Sequence, residues 1–175
     1  MPGPSGSTGS ASVPKASCAH VAVVGPSRAE PREAEMAEAV GRALAERGAV
    51  VVCGGRGGAM EAACRGAKSA GGTTVGILPG PDRSAANGFV DVAVATGLGE
   101  ARNAIVVRTA DALIAVAGAY GTLSEIALAL AAGKKVVGLD TWQLSRAGEL
   151  DSAIEMAGSP QEAVERALSM GPGSS

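Results

Sequence analysis

The sequence is short of the side chains on which catalysis, membrane insertion and nucleic-acid binding most often rely. Aromatics are nearly absent, with Phe89, Tyr120 and Trp142 the only ones in 175 residues. The core is therefore built from Ala, Val, Leu and Ile, whose small size lets helices pack close to a sheet and suits an α/β layer architecture. Histidine occurs once, at His20 just before the first apolar run, where a structural or exposed role is expected. The three cysteines, Cys18, Cys53 and Cys64, are odd in number and lack metal-type spacing. They read as reduced thiols in a reducing compartment, which makes the cytoplasm the expected location. Basic charge is not in excess: the net charge is −2 and the Lys and Arg residues are scattered, against the positive face that duplex nucleic acid requires. Long apolar runs are missing too, and residues 1–19 hold no hydrophobic stretch behind a basic start. Neither a membrane span nor a secretory signal is expected.

What is present is a 46% hydrophobic chain with 26 glycines set between apolar runs. Its length fits one domain with a sizeable core. Residues 1–18, rich in Ser, Gly and Pro, bury too little to offset the entropy of ordering; a disordered tail is expected there, a single domain over 19–171, and a short tail over 172–175. The run from His20 to Val24, ended by Gly25, Pro26 and Ser27, reads as a buried first strand. Met36, Val40 and Leu44 recur at helical spacing between Pro31 and Gly48, as in an amphipathic helix. The alternation then continues. Strands are expected at Ala49–Cys53, Thr73–Leu78, Val90–Ala95, Ala112–Val116 and Lys135–Leu139, and helices at Gly58–Ala70, Glu100–Thr109 and Thr122–Ala132. A weak strand near Ala153–Met156 precedes a helix from Pro160, entered through Ser159 and Glu162 in the form of a capping box. Strands alternating with helices of this length predict a Rossmann-like parallel sheet with helices on both faces.

In such sheets ligands bind beyond the carboxyl ends of the strands, where helix N-termini present unpaired N–H groups. Two glycine-rich strand-to-helix turns mark that region. In the first, Gly54, Gly55, Gly57 and Gly58 surround Arg56 and lead into Ala59, Met60 and Glu61; the turn either lets backbone approach an anion at a helix start or serves tight helix–sheet packing alone. In the second, Gly118 and Gly121 lead into Thr122 and Glu125. By spacing alone this pair fits a Ser/Thr-x-x-Glu capping box as well as a site. Neither turn has the Gly-x-Gly-x-x-Gly or Gly-Lys-Ser/Thr form, which disfavours nicotinamide dinucleotides and P-loop triphosphate hydrolysis. Arg102, near the start of its helix after Gly97-Leu98-Gly99, is either a planar bidentate partner for phosphate or carboxylate or a solvated arginine that the macrodipole mildly disfavours.

Taken together, Gly25-Pro26-Ser27, the Gly-Gly-Arg-Gly-Gly-Ala-Met-Glu run, Gly97 to Asn103 and Gly118 to Glu125 resemble the LOG-type Rossmann family, from about Val21 to Leu168. The short form with Arg-Asn and Gly-Thr-Leu-Ser-Glu is most similar to its molybdenum-cofactor carrier branch. The resemblance implies a phosphorylated small molecule as ligand, a nucleotide or the molybdenum cofactor, held by Gly25, Ser27, Gly54, Gly55, Gly57, Gly58, Met60, Gly118, Gly121 and Thr122. In the family's cytokinin-activating enzymes, which hydrolyse the N-glycosidic bond of nucleoside 5′-monophosphates, the arginine and glutamate at the positions of Arg102 and Glu125 serve catalysis. This sequence departs from their Pro-Gly-Gly-x-Gly-Thr-x-x-Glu motif at Ala117 and Ala119, and has Asn103 where they usually have lysine. Binding is thus expected to survive better than turnover. The lysine decarboxylase label once common in this family finds no lysine placed for a pyridoxal phosphate Schiff base. Ala-rich helices at Glu100–Thr109 and Thr122–Ala132 are expected to pair copies into a homodimer or homotetramer.

Overall fold

The computed structural model describes residues 18–169; the tails expected at the two ends fall largely outside the described residues. Seven parallel strands form one sheet: β1 (His20–Val24), β2 (Val50–Cys53), β3 (Thr74–Leu78), β4 (Val92–Ala95), β5 (Ala112–Val116), β6 (Lys135–Leu139) and β9 (Ile154–Ala157). A small antiparallel hairpin, β7 (Leu144–Arg146) and β8 (Glu149–Asp151), lies between the last two. The sheet order is β4-β3-β2-β1-β5-β6-β9. The chain therefore builds outward from β1 to β4, then returns to β1's other side to start β5, making the β1/β5 junction the point where the winding reverses.

Helices α1 (Pro31–Glu46), α2 (Ala59–Ser69) and α5 (Pro160–Leu168) cover one face, and α3 (Asn103–Thr109) and α4 (Tyr120–Ala131) the other. Period-two alternation of the strands divides the core accordingly: Val21 and Val23 face α1, α2 and α5, whereas Ala22 and Val24 face α3 and α4. The scarcity of large side chains has a direct consequence at the α1/α2 contact. A Cβ on Gly41 would overlap the carbonyl of Ala63, and one on Gly66 the carbonyl of Glu38, so these helices meet backbone to backbone.

The expected strand–helix order is present, with local differences. Helix Glu100–Thr109 begins as a 3₁₀ turn, Gly99–Arg102, before α3 proper. The β7–β8 hairpin was not expected; it is too short and too exposed to show an alternating pattern. At α5, Ser159 accepts from the N–H of Glu162 as a cap does, but the Glu162 carboxylate reaches the N–H of Gly158 rather than that of Ser159. Of the two helices expected to present apolar outer sides, α3 turns Val106 and Val107 inward, while α4 keeps Leu128 partly exposed. No helix among the described residues is long and apolar enough to cross a membrane.

Candidate functional site

Because the sheet is parallel, β1, β2 and β5 end at one rim, side by side, and the segments after them meet there. After β1, Gly25 is wedged so tightly that a Cβ would come within 2.6 Å of the Ala59 methyl and 2.7 Å of the Val116 carbonyl. After β2, the turn docks onto the 25–27 segment: the Ala59 N–H donates to the Pro26 carbonyl at 3.0 Å, and Gly58, at φ 67°, leaves 2.5 Å between its missing Cβ and the Ser27 carbonyl carbon. The first turn is also held from the β3 side, where Asn87 donates its N–H to the Gly55 carbonyl and its side-chain amide to the Arg56 carbonyl, both at 2.9 Å.

Two levels are distinguishable within that turn. Gly54 and Gly55 are buried. A Cβ at Gly54 would overlap the Arg102 guanidinium and one at Gly55 would meet Leu78 at 2.9 Å, and the Gly55 N–H is taken up by Cys53 Sγ at 3.3 Å. Met60 likewise turns inward, packing with Cys53 and Cys64, so its side chain belongs to the core. Cys53 Sγ and Cys64 Sγ lie 3.5 Å apart; the hydrogen bond between them pulls the Cys53 thiol down and pushes Cys64 up. Above these residues, Arg56 and Ser27 are exposed and Gly57 and Gly58 half-exposed. Among the described residues no hydrogen bond occupies the amides of Gly57 or Gly58.

The second turn is built differently. The chain leaves β5 through two residues at positive φ, Ala117 at 49° and Gly118 at 126°, and enters α4 at Tyr120, two residues earlier than expected. Ala119, at φ −100° and ψ −165°, is extended, so its methyl imposes no backbone strain; the conformational demand falls on Ala117 instead. A proline there, with φ fixed near about −65°, cannot follow this path. The capping box expected of Thr122 and Glu125 is absent. The N-cap is Ala119, without a side-chain hydrogen bond, and both Thr122 and Glu125 are buried inside the first two turns, at 3% and 8% exposure. The first-turn amides of Tyr120, Gly121 and Thr122 are those a helix leaves without intrahelical partners.

Arg102 sits beneath the first turn and feels the charge of Glu125 on α4. It is 5% exposed, lies against Gly54, and donates through Nη1 to the Ile77 carbonyl at 2.7 Å, which fixes it under the ends of β2 and β3. Its Nε is buried with no hydrogen-bond partner among the described residues, a state that costs about 1–3 kcal/mol or more for a charged donor. Burial lowers the Arg102 pKa, opposed by Glu125, Glu100 and Cys53. Burial also pushes the Glu125 carboxyl up to about 7, with Arg102 pulling it down and Glu100 adding to the rise. The rim thus combines free amides, a buried half-paired guanidinium and a carboxyl that changes charge near neutrality. Such a set can hold an anionic oxygen and exchange a proton beside it.

A model of the SLOG cluster4 family matches residues 18–165. The chain belongs to that family. Among solved structures, the molybdenum cofactor binding protein of Rippkaea orientalis is 36% identical, with a TM-score of 0.78 over 86% of this chain and 96% of that one. The molybdenum cofactor carrier protein of Chlamydomonas reinhardtii is 35% identical, with a TM-score of 0.76 over 85% and 95%. A cytokinin riboside 5′-monophosphate phosphoribohydrolase of Mycobacterium marinum is 36% identical over 121 residues, 64% of this chain and 65% of that protein. The LOG-type resemblance therefore holds over residues 18–165.

Of the residues expected from motif position, the fold brings Gly25, Ser27, Gly57, Gly58, Gly118, Gly121, Thr122, Arg102 and Glu125 to one rim. Sequence reasoning missed two others. Thr141 Oγ1 donates to the Ala117 carbonyl, and Trp142 Nε1 donates to the Ala119 carbonyl at 3.3 Å, so the segment after β6 braces the second turn. The available signal was position: residues just past a parallel strand lie at the same rim as the glycine turns.

Proposed function

We infer that this chain binds a phosphate-bearing small molecule of the nucleotide or pterin-cofactor type in the crevice beyond β1 and β5, as a carrier rather than a hydrolase. The observation that carries this reading is the Arg102 guanidinium, buried against Gly54 of the first glycine turn with its Nε unpaired among the described residues. A buried unsatisfied donor in a native fold calls for an explanation, and an anionic group at the rim supplies one. The likeness to molybdenum cofactor binding and carrier proteins, spanning almost their whole length, supports the same ligand class. The positive φ of Ala117, which a motif proline cannot adopt, speaks against a loop shaped for N-glycosidic hydrolysis.

The test is thermal unfolding with and without adenosine 5′-monophosphate or molybdenum cofactor. A ligand that binds only the folded state stabilises it by about 2.7 kcal/mol at one hundred times its Kd. Arg102→Lys keeps the charge but loses the planar fork, and its ligand-dependent shift should fall to near zero. No shift with either compound in the unaltered protein overturns the reading. Hydrolysis of adenosine 5′-monophosphate that disappears in Glu125→Gln would replace it with the phosphoribohydrolase activity of the mycobacterial relative.

A further inference from the structure

Phe89 packs against the Cys53–Met60–Cys64 cluster. The other two aromatic side chains of the protein, Tyr120 and Trp142, stand together at the carboxyl rim, ring centroids 5.6 Å apart and planes inclined by 36°. They are not equivalent. Trp142 packs one side against the core beneath α3 and α4 and is oriented by its hydrogen bond to Ala119, with Thr141 fastened to Ala117 beside it. Tyr120 is the first residue of α4 and 80% exposed. In a protein that otherwise avoids aromatic rings, one ring is anchored from within and a second is laid over it facing solvent.

The place of this pair decides what it is for. Tyr120 directly precedes Gly121, where an added Cβ would meet nothing within 4 Å, and shares with Gly121 and Thr122 the free amides of the α4 start. A phosphate taken by those amides leaves the rest of its molecule beside the rings. We propose that Tyr120 and Trp142 form a stacking platform for the planar nitrogen heterocycle of the same phosphorylated ligand. The platform would accept a purine nucleotide or a phosphorylated pterin, because both offer a flat π-face to a ring, and would add nothing to the binding of a sugar phosphate, which the phosphate site alone would hold. This inference rests on the phosphate site of the preceding reading and adds the chemistry of the group beyond the phosphate.

Trp142 is the sole tryptophan, so its emission reports on the platform alone. The full chain is titrated with adenosine 5′-monophosphate, a phosphorylated pterin and ribose 5-phosphate, following Trp142 fluorescence and melting temperature together. At least one ring-bearing compound should change the emission saturably, while ribose 5-phosphate raises the melting temperature without doing so. Tyr120→Ala, an exposed change, should weaken the ring-bearing compound roughly 5- to 150-fold, the range found for base–aromatic stacking, leave ribose 5-phosphate unaffected, and be restored by Tyr120→Phe. If ring-bearing compounds bind no more tightly than ribose 5-phosphate and Tyr120→Ala changes neither, the platform is overturned and the phosphate site stands. If none of the three compounds binds, both fall.

Discussion

The two glycine turns flank the 25–27 segment at one rim, yet their glycines serve different ends. In the first, Gly54, Gly55 and Gly58 are required by the protein itself: each has a neighbour where its Cβ would stand, and Gly55 and Gly58 also carry positive φ. In the second, Gly118 is similarly confined by Thr122, but Gly121 sits in an ordinary helical turn with open space around it. Gly57 resembles Gly121, its nearest neighbours being 3.7 Å away. Sequence alone leaves each turn open to a packing or a ligand role. The structure gives Gly54, Gly55, Gly58 and Gly118 a packing demand of their own, and leaves Gly57 and Gly121 as the positions where small size has no internal cause.

The sharpest way to break this contrast is Gly58→Ala. Its φ of 67° and ψ of −133° lie close to a region reserved for glycine, at about 1–3 kcal/mol of strain, and its Cβ would strike the Pro26 and Ser27 backbones, which cannot swing aside. A loss near 3 kcal/mol is expected, lowering the melting temperature by roughly 6–12 °C in a chain of this size. A melting temperature within 2 °C of the unaltered protein would mean that the first turn is not a packed element.

The second turn carries its cost in charge. Glu125 titrates near 7 in the fold against about 4.3 in an unfolded chain. Between these values the folded state binds more protons, so stability falls as pH rises through this window, and above it the penalty is complete. Glu125→Gln removes a buried ionisation of up to about 3 kcal/mol. It should therefore stabilise the protein at pH 8 and do little at pH 4.5, as read by paired thermal melts. Equal effects at both pH values would place Glu125 in a solvated site.

The fold was legible because its signals are redundant. Most of the sheet's strands are runs of Val, Ala, Ile and Leu set off by Gly and Pro; β9, with Glu155 and Met156, is the weak one. What escaped notice depends on conformation that residue type does not encode. Thr122 and Glu125 match a capping box in spacing, but positive φ at Ala117 and Gly118 turns the chain early, starts α4 at Tyr120 and carries both side chains inside. Arg102 was visible as a candidate, though not its burial, because the pairing with the Ile77 carbonyl is made across 25 residues. Trp142 lacked any motif. Its role depends on β6 lying beside β5, a neighbourhood set by the strand order.

The smallest expected effect on stability gives the most direct test of the contrast between the turns. Gly121 occupies the second position of α4 with no φ constraint and no neighbour to its Cβ. Alanine there should be neutral or stabilising by at most about 1 kcal/mol, since glycine is the poorer helix former. The added methyl would nonetheless project into the space where a phosphate meets the first-turn amides, so affinity for adenosine 5′-monophosphate or ribose 5-phosphate should drop at least tenfold while the melt is unchanged or raised. Gly57→Ala should act in the same direction on the opposite wall. If calorimetry shows both variants binding as tightly as the unaltered protein, the open glycines are incidental and phosphate does not sit between the turns.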